Sequence, residues 1–397
     1  MLYFDNSSTS PIDEEVLDAM FPYLREEYGN PSSKYYSKAV NAKEAVEDAR
    51  EKVATLLGAK PEEIVFTAGA TESTNFIIKG YMDYRRYYGD GKNHIITSAA
   101  EHKATLNTCK YLNGELYSNN DPTISLLGDK QRVDRGYEAS FIEVSSCGEV
   151  KKNLVENAFR ANTAMVSIIH VNNEVGTIND IGTIAELCHA REVAFHSDLT
   201  QAVGKLEVDV KKLGIDYASC SAHKIYGPKG IGAAYLKSDD YGIVPITSFM
   251  HGGEQEFGFR AGTLAVHNIV GFGKAAEIAH RDHKVNEERI KQLDSYTVEK
   301  LSGIESIRLT NASEARLPGL LSIIVDLPDF HNERFVRKVR DNLAISTGSA
   351  CSAGEPSYVI KAMGLSDKVS KVLRISLNKY TTKEDVDILV SMIRENI

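Results

Sequence analysis

The sequence of 397 residues is long enough for a large α/β domain and a smaller second one. Its 42% of hydrophobic and 25% of charged residues are typical of a globular protein, and a net charge of −9 gives no electrostatic support for direct nucleic-acid binding. The first residues carry no basic region before an apolar run, and no stretch approaches the ~20 apolar residues of a membrane span. We therefore expect a cytoplasmic protein that does not enter a membrane.

Strand-like runs alternate with helical stretches through the first two thirds of the chain. Helical segments are predicted at 71–88 and 182–193. Because the runs between them are apolar, the pattern predicts a mainly parallel sheet covered by helices on both faces, with ligands bound beyond the carboxyl ends of the strands. The predicted strands lie at 62–69, 92–100, 163–173, 192–200, 215–223 and 231–237.

The last third reads as a smaller α+β domain. It begins with a long helix that includes residues 271–301, followed by strands at 321–327 and 372–378 and a final helix over 382–397. We place the large domain at 15–283, and the small domain at 1–14 and 284–397.

A strand–turn–helix at residues 65–80 is the first candidate binding element. The backbone N–H groups around Ala70 and the hydroxyl of Thr71 lie where that helix begins, which is a ready site for a phosphate. A simple Thr helix cap is the other interpretation. The segment has neither the Walker spacing nor GxGxxG, so a nucleotide site is not indicated.

Polar residues then follow three further strands. His102 and Asn173 each come after a predicted strand, where capping or turn roles are also common. Asp198 follows the next strand, with Gln201 three residues on. A carboxylate there can keep a ring nitrogen of a bound heteroaromatic group protonated, or it can cap the next helix.

The strongest local signal is the segment 219–236, in which a strand ends in small residues before a glycine-rich turn and another strand. It contains Ser221, His223 and Lys224. A lysine at a strand end can become a Schiff-base partner when burial and its neighbours lower its pKa. A lone lysine on a loop is more often solvent-exposed, so this interpretation depends on the other elements.

The five cysteines include no CxxC pair, which favours neither a metal site nor a disulfide framework and fits a reducing compartment. Cys109, Cys188 and Cys220 lie in helix-like or strand-like runs and are predicted to be buried, whereas Cys147 lies in a predicted turn. Cys351 lies among Ser, Gly and Ala residues in a loop that we expect to be mobile, where a thiolate can approach a substrate. A packed turn is the alternative.

Arg374 lies in an alternating strand pattern at 372–378. An arginine binds a carboxylate through two parallel hydrogen bonds, so it can orient an amino acid. A surface position on the strand is the other interpretation.

Taken together, these motifs resemble the cysteine desulfurases, in the class-V aminotransferase branch of the fold-type I pyridoxal-phosphate (PLP) enzymes. GATES, EHKA, VNNE-G, H-D-TQ, S-HK-YGPKG, HGG-E, R-GT and GSAC occur in the family's order, and the likeness covers nearly the whole chain. It implies a seven-stranded sheet in the large domain and PLP as the cofactor.

The resemblance also implies roles for single residues. Lys224 carries the cofactor as a Schiff base and removes the substrate α-proton, Arg374 binds the substrate carboxylate, and Cys351 is the nucleophile. Thr263 reaches the phosphate of the neighbouring subunit, which implies a homodimer. His102 stacks on the cofactor ring and is a candidate acid/base, and Asp198 contacts the ring nitrogen. Gln201 and Asn173 contact the ring oxygen, and Asn173 also contacts the substrate carboxylate. The phosphate contacts are Ala70, Thr71, Ser221 and His223.

The expected reaction converts L-cysteine to L-alanine and leaves a persulfide on Cys351, which is passed to an acceptor protein. Iron–sulfur cluster assembly, tRNA thiolation and DNA phosphorothioation are the candidate routes, with a selenocysteine lyase, another class-V enzyme or a non-catalytic scaffold as alternatives. The loop after Cys351 is slightly shorter than in housekeeping members, and the chain stops soon after its final helix, at Ile397. The shorter loop is expected to have a shorter reach. Housekeeping members continue into a tail that helps to dock the iron–sulfur scaffold protein, so a more specialised acceptor remains open. Residues 81–91 and 111–140 match the family poorly and predict no function.

Overall fold

The computed structural model describes residues 1–115, 133–239, 241–311, 315–348 and 356–397. The strands in these ranges are β1 (Leu2–Tyr3), β2 (Ile64–Thr67), β3 (His94–Ser98), β4 (Glu138–Ile142), β5 (Thr163–Ser167), β6 (Ala194–Asp198), β7 (Tyr217–Ser221), β8 (Gly232–Leu236), β9 (Ile307–Leu309), β10 (Leu320–Val325), β11 (Leu343–Ala344) and β12 (Val372–Ser376). The helices are α1 (Glu14–Arg25), α2 (Ser37–Leu57), α3 (Ala70–Tyr87), α4 (Lys103–Leu112), α5 (Lys152–Ala158), α6 (Ile181–His189), α7 (Val266–Ser302), α8 (Asn332–Val339), α9 (Tyr358–Ala362) and α10 (Lys383–Asn396).

Seven strands form one sheet in the order β2-β8-β7-β6-β5-β3-β4. β8 runs antiparallel to both neighbours, and the other adjacent pairs are parallel. The predicted mainly parallel sheet is therefore confirmed, and each of the six predicted strands is present. β4 was not predicted because it is an edge strand with a half-exposed face, so its sequence lacks the apolar run of a central strand.

Helices cover both faces of this sheet. Phe66 and Phe195 pack on one face with apolar residues of α2, α6 and α7. Val65 and Ala194, one position earlier in the same strands, pack on the other face with residues of α3 and α4. Because neighbouring strand residues point to opposite faces and both faces are covered, β2, β3, β5, β7 and β8 are buried at every position.

A second core forms around the three-stranded sheet β12-β10-β9 and the pair β1-β11. The helices α8 and α10 contribute Phe335 and Leu389 to it. α7 is continuous from the first core, where it buries Phe272, to the second, where it buries Leu293. The predicted domain division at residue 283 falls within this helix and stays a prediction.

Three of the cysteines are buried as predicted, namely Cys109, Cys188 and Cys220. Burial raises the pKa of the Cys220 thiol to about 12, so it stays protonated. Cys147 is half-buried, and Cys351 lies outside the described residues. In the ranges that the structure describes, no helix is both long and apolar enough to cross a bilayer.

Candidate active site

A cavity of about 840 Å³ lies where β2, β3, β5, β6 and β7 reach their carboxyl ends. A volume of this size suits a cofactor together with a small substrate. The predicted site residues that line it are Ala70, Thr71, His102, Asn173, Asp198, Gln201, Ser221, His223, Lys224 and Arg374. Thr263 is exposed outside this lining, and Cys351 lies outside the described residues.

Lys224 lies in a single 3-10 turn that directly follows β7. Its Nζ donates to the backbone carbonyls of Ser7 at 2.5 Å and Ser8 at 2.7 Å. The N-terminal segment is fixed there because the amide and hydroxyl of Ser10 both donate to the carbonyl of His223, at 3.0 and 2.9 Å. The lysine is thus oriented at the cavity wall by a segment more than 200 residues away in sequence.

Asp198 and Gln201 occupy the end of β6 and the turn after it. Asp198 is only 3% exposed, and its Oδ1 accepts from the amide of Thr200 at 2.9 Å. The helix-cap interpretation of Asp198 was wrong, because hydrogen-bonded turns rather than a helix follow β6. Asp198 instead braces the first of these turns and lines the cavity. Gln201 donates from Nε2 to the carbonyl of Ser7 at 2.9 Å and accepts at Oε1 from Lys205 Nζ at 2.7 Å.

The other end of the cavity can bind an anion. α3 begins at Ala70, so the backbone N–H groups of its first turn have no acceptor within the helix. The preceding Gly69 has a φ of 149°, a conformation that favours glycine. Thr71, Ser221 and His223 line the same region, so N–H and hydroxyl donors surround one space.

His223 is electrically neutral in this arrangement. Burial, followed by the positive charges of Lys224, Lys229 and Lys205, lowers the pKa of His223 to about 4. Its Nδ1 is 3.1 Å from the hydroxyl of Thr9. A neutral imidazole can still donate one hydrogen bond to a phosphate.

His102 caps α4 with its side chain. Its Nδ1 accepts from the amide of Ala104 at 3.1 Å, which places the proton of the neutral ring on Nε2. This bond fixes the ring orientation at the cavity wall. The capping interpretation of His102 is therefore correct, and it is compatible with stacking on a planar ligand.

Arg374 is 1% exposed in β12, so the surface interpretation was wrong. Both faces of β12 are buried, which the alternating sequence pattern did not indicate. Its guanidinium donates to the carbonyl of Asn173 at 2.8 Å, to Asp5 Oδ1 at 2.7 Å and to Ser8 Oγ at 2.6 Å. Of its five N–H donors, two remain for a carboxylate, including Nε, which is buried without a partner among the described residues.

The N-terminal residues are the part of the site that sequence patterns did not reveal. Asp5, Ser7, Ser8 and Thr9 contact four of the predicted site residues, although no motif in the sequence assigned them a role. The sequence signal that could have indicated them is the run of small polar residues at 6–9. Such a run beside a strand is typical of a segment that forms hydrogen bonds to other parts of the protein or to a ligand.

Beneath the cavity lies a layer of buried polar groups that carry no net charge between about pH 4 and pH 8. Glu101 is fully buried and accepts from Ser98 Oγ at 2.7 Å and from the amide of Ile169 at 2.9 Å. Burial raises the pKa of Glu101 to about 8 and lowers those of His170 and His196 to about 4. The fixed charges at the cavity are therefore carried by Asp198, Arg374 and the lysines.

The donor set fits a phosphorylated pyridine aldehyde such as PLP, together with an amino acid. Three polar atoms at the cavity are buried without a partner among the described residues: Asn173 Oδ1, Thr200 Oγ1 and Arg374 Nε. Unpaired buried polar atoms are costly, so their presence indicates that a polar ligand completes them. The lysine, the carboxylate and the anion-binding helix start supply the partners for an aldehyde, a ring nitrogen and a phosphate.

Comparison with known proteins identifies the family of this chain. Residues 2–117 and 126–389 match the family model described as Aminotransferase class-V. The cysteine desulfurase IscS of Edwardsiella ictaluri (strain 93-146) is 41% identical over 401 residues, which cover 100% of this chain and 92% of the relative.

Solved structures give the same result. A NifS-like protein superposes with a TM-score of 0.86 at 35% identity, covering 99% of this chain and 98% of its own. The structure titled SspA in complex with cysteine superposes with a TM-score of 0.79 at 34% identity, covering 96% of this chain and 100% of its own.

Proposed function

The chain belongs to the class-V aminotransferase family, among its cysteine desulfurases, and we propose that it uses PLP to convert L-cysteine to L-alanine and a persulfide on Cys351. The observation that carries the proposal is the single cavity at the strand ends, which ten of the predicted residues line.

Lys224 and Asp198 would hold the cofactor at its two reactive positions. Lys224 Nζ provides the amine that attaches the cofactor and then accepts the α-proton of the substrate. The buried Asp198 carboxylate keeps the ring nitrogen protonated. When bound, PLP supplies an electron sink for the negative charge left at the substrate α-carbon.

Four residues around the cavity would hold the rest of the cofactor. Thr71, Ser221 and the first turn of α3 bind the phosphate, and His223 adds one hydrogen bond as a neutral imidazole. His102, with its ring fixed by the Ala104 amide, stacks on the planar group and presents a proton on Nε2.

Arg374 and Asn173 would orient the amino acid. The two free N–H donors of Arg374 bind the substrate carboxylate, and the unpaired Oδ1 of Asn173 accepts a hydrogen bond in the same region. Asp5 already compensates part of the arginine's charge. The buried guanidinium of Arg374 therefore has a counter-ion even before the substrate carboxylate binds.

Cys351 would perform the sulfur transfer. Its thiolate Sγ forms a bond to the sulfur of the substrate as the Cβ–S bond breaks, and the electron pair of that bond and a proton remain with the carbon product, which leaves as alanine. The described residues on both sides of the Cys351 loop support this. Ser346 pairs with Arg374 through two backbone hydrogen bonds, and Ser357 Oγ donates to Glu174, the neighbour of Asn173.

The homodimer, the acceptor and the location belong to the same proposal. Thr263 is exposed and lies outside this cavity, as expected if it reaches the phosphate bound by a second copy. Its loop is attached to α3 by a hydrogen bond of 2.8 Å from Arg260 to Glu72. We propose a cytoplasmic homodimer whose sulfur acceptor is a protein in iron–sulfur assembly, tRNA thiolation or DNA phosphorothioation.

The experiment that tests the function measures the alanine formed from L-cysteine by the PLP-loaded protein, and the sulfide that an added thiol reductant releases from the persulfide. Lys224→Ala should abolish both products. Cys351→Ser should abolish them yet keep the visible absorbance of the bound cofactor, whereas the matched control Cys147→Ser should behave like the wild type. Full turnover in Cys351→Ser would show that this cysteine is not the nucleophile, and a higher kcat/KM for L-selenocysteine would favour a lyase instead.

A further inference from the structure

Lys205 contacts the active site from behind, and none of the roles above uses it. It lies four residues after Gln201, in the hydrogen-bonded turns that follow β6, where its own amide donates to the carbonyl of Ala202 at 3.0 Å. Its Nζ donates to Oε1 of Gln201 at 2.7 Å. Lys205 also lines a second, smaller cavity of about 100 Å³ on the far side of Lys224.

The amide of Gln201 has two orientations of nearly the same shape, which exchange a donor for an acceptor. Two contacts select one of them. The protonated ammonium of Lys205 can only donate, so it requires Oε1 on its side, and the carbonyl of Ser7 can only accept, so it requires Nε2. In the flipped orientation an NH₂ group would face an ammonium group and two carbonyl oxygens would face each other.

The selected orientation determines what Gln201 offers to the cavity. One N–H of Nε2 donates to Ser7, which leaves the other N–H for a bound group. The same Ser7 carbonyl accepts from Lys224 Nζ at 2.5 Å. A continuous chain of hydrogen bonds therefore joins Lys205 to Lys224 through Gln201 and Ser7.

The surroundings of Lys205 are unfavourable for a cation, which argues against an incidental surface lysine. It is half-buried, and burial followed by the positive charges of Lys224 and Arg374 lowers the pKa of Lys205 to about 7. The strongest compensation described for this group is the Gln201 carbonyl oxygen. Because Lys205 lies near two other cations, its ammonium group depends on the Gln201 carbonyl oxygen and strongly favours the amide orientation that presents this oxygen to it.

We propose that Lys205 is a positioning residue that fixes the Gln201 amide with an N–H directed to the cofactor's phenolic oxygen. The proposal rests on the proposed function, because it takes PLP as the occupant of the cavity. Lys205 touches neither cofactor nor substrate and acts through Gln201 alone.

The test is a pH titration of the visible absorbance of the PLP-loaded protein without cysteine. A donor to the phenolic oxygen favours the deprotonated form of the chromophore, so Lys205→Met should raise the midpoint by about one pH unit, a tenfold change in the equilibrium. Lys205→Arg keeps an N–H donor at this position, and the small cavity beside it can accommodate the larger guanidinium group. This variant should therefore keep the wild-type midpoint.

A double-mutant cycle separates positioning from general damage to the fold. In a Gln201→Ala background, Lys205→Met should shift the midpoint by much less than one unit, because the residue through which Lys205 acts is gone. Thermal unfolding of each variant checks that it is folded, and Lys205→Leu replaces Lys205→Met if the latter does not fold.

Three results would overturn the proposal: an unchanged midpoint in Lys205→Met, a shift of equal size in the Gln201→Ala background, or a Lys205→Arg midpoint displaced as far as that of Lys205→Met. The titration needs no substrate. A wild-type protein that titrates normally but releases no alanine from cysteine would refute the proposed function and leave this inference standing.

Discussion

Replacing Arg50 with methionine should destabilise the protein strongly, because Arg50 forms a buried ion pair with Glu256. Their side chains are 3% and 0% exposed, and two bonds of 2.8 Å join them. The guanidinium also donates to the carbonyl of Ile64 at 2.8 Å and lies 4.8 Å from the ring centroid of Phe66. Arg50→Met would leave the Glu256 carboxylate buried without its cation.

The expected cost is about 3–5 kcal/mol, the usual loss when one partner of a buried pair is removed. The unfolding entropy of about 2.1 cal/mol/K per residue amounts to about 0.8 kcal/mol/K for 397 residues, so the unfolding temperature should fall by about 4–6 °C. Glu256 and Phe257 have φ values of 51° and 58°, and this strained turn depends on the same ion pair.

The assay is thermal unfolding followed by circular dichroism, with Arg308→Met as the matched control. Arg308 is 3.6 Å from Asp326, and both side chains are about half exposed, so its removal should cost less than about 1 kcal/mol, or about 1 °C. Neutralising the partner as well, in Arg50→Met/Glu256→Gln, should recover part of the loss. Equal shifts in Arg50→Met and Arg308→Met would refute the reasoning.

Three further predictions concern ionisable side chains inside the protein. Asp5→Asn should lower the free energy of unfolding by about 1–3 kcal/mol, since Arg374 then stays buried without its counter-ion, and an unchanged thermal transition would contradict this. The pKa of Glu101 is raised in the fold, so the free energy of unfolding of the wild type should fall as the pH rises from about 4.5 to about 8. Glu101→Gln lacks this loss, so its stability relative to the wild type should increase over that range by at most about 4–5 kcal/mol. Urea unfolding at pH 5 and pH 8.5 measures the difference. Four histidines have a pKa lowered to about 4 in the fold and therefore bind protons more readily when the chain is unfolded: His94, His170, His196 and His223. The free energy of unfolding should therefore fall as the pH drops from about 6.5 to 4. A free energy of unfolding that is independent of pH in this range would show that these histidines are not neutral in the fold.

Much of the fold could be predicted because the central strands are buried on both faces. Runs such as the one containing β5 are mostly apolar and fully buried, and they end in the polar residues that line the cavity, so one pattern located both the sheet and the site. β4 escaped prediction because an edge strand with a half-exposed face has a mixed sequence.

The remaining contacts could not be predicted because they join distant parts of the chain. Nothing in the local sequence of Asp5 indicates that it meets Arg374, and nothing around Gln201 indicates that its amide lies between Ser7 and Lys205. Local patterns predict which residues end a strand, but only tertiary packing determines their partners.

The N-terminal segment also sets a time at which the active site can form. Asp5 is 369 residues from Arg374, and the amide of Ser7 is as far from the Ser376 hydroxyl that it contacts. At about 5–20 residues per second, a ribosome takes about 20–70 seconds to cover that distance, so the first residues made wait through almost the whole of synthesis for their partners. Lys224 obtains its final orientation only when the N-terminal segment has met β12, and we therefore expect cofactor capture to follow the synthesis and packing of β12 rather than to guide the folding of the earlier strands.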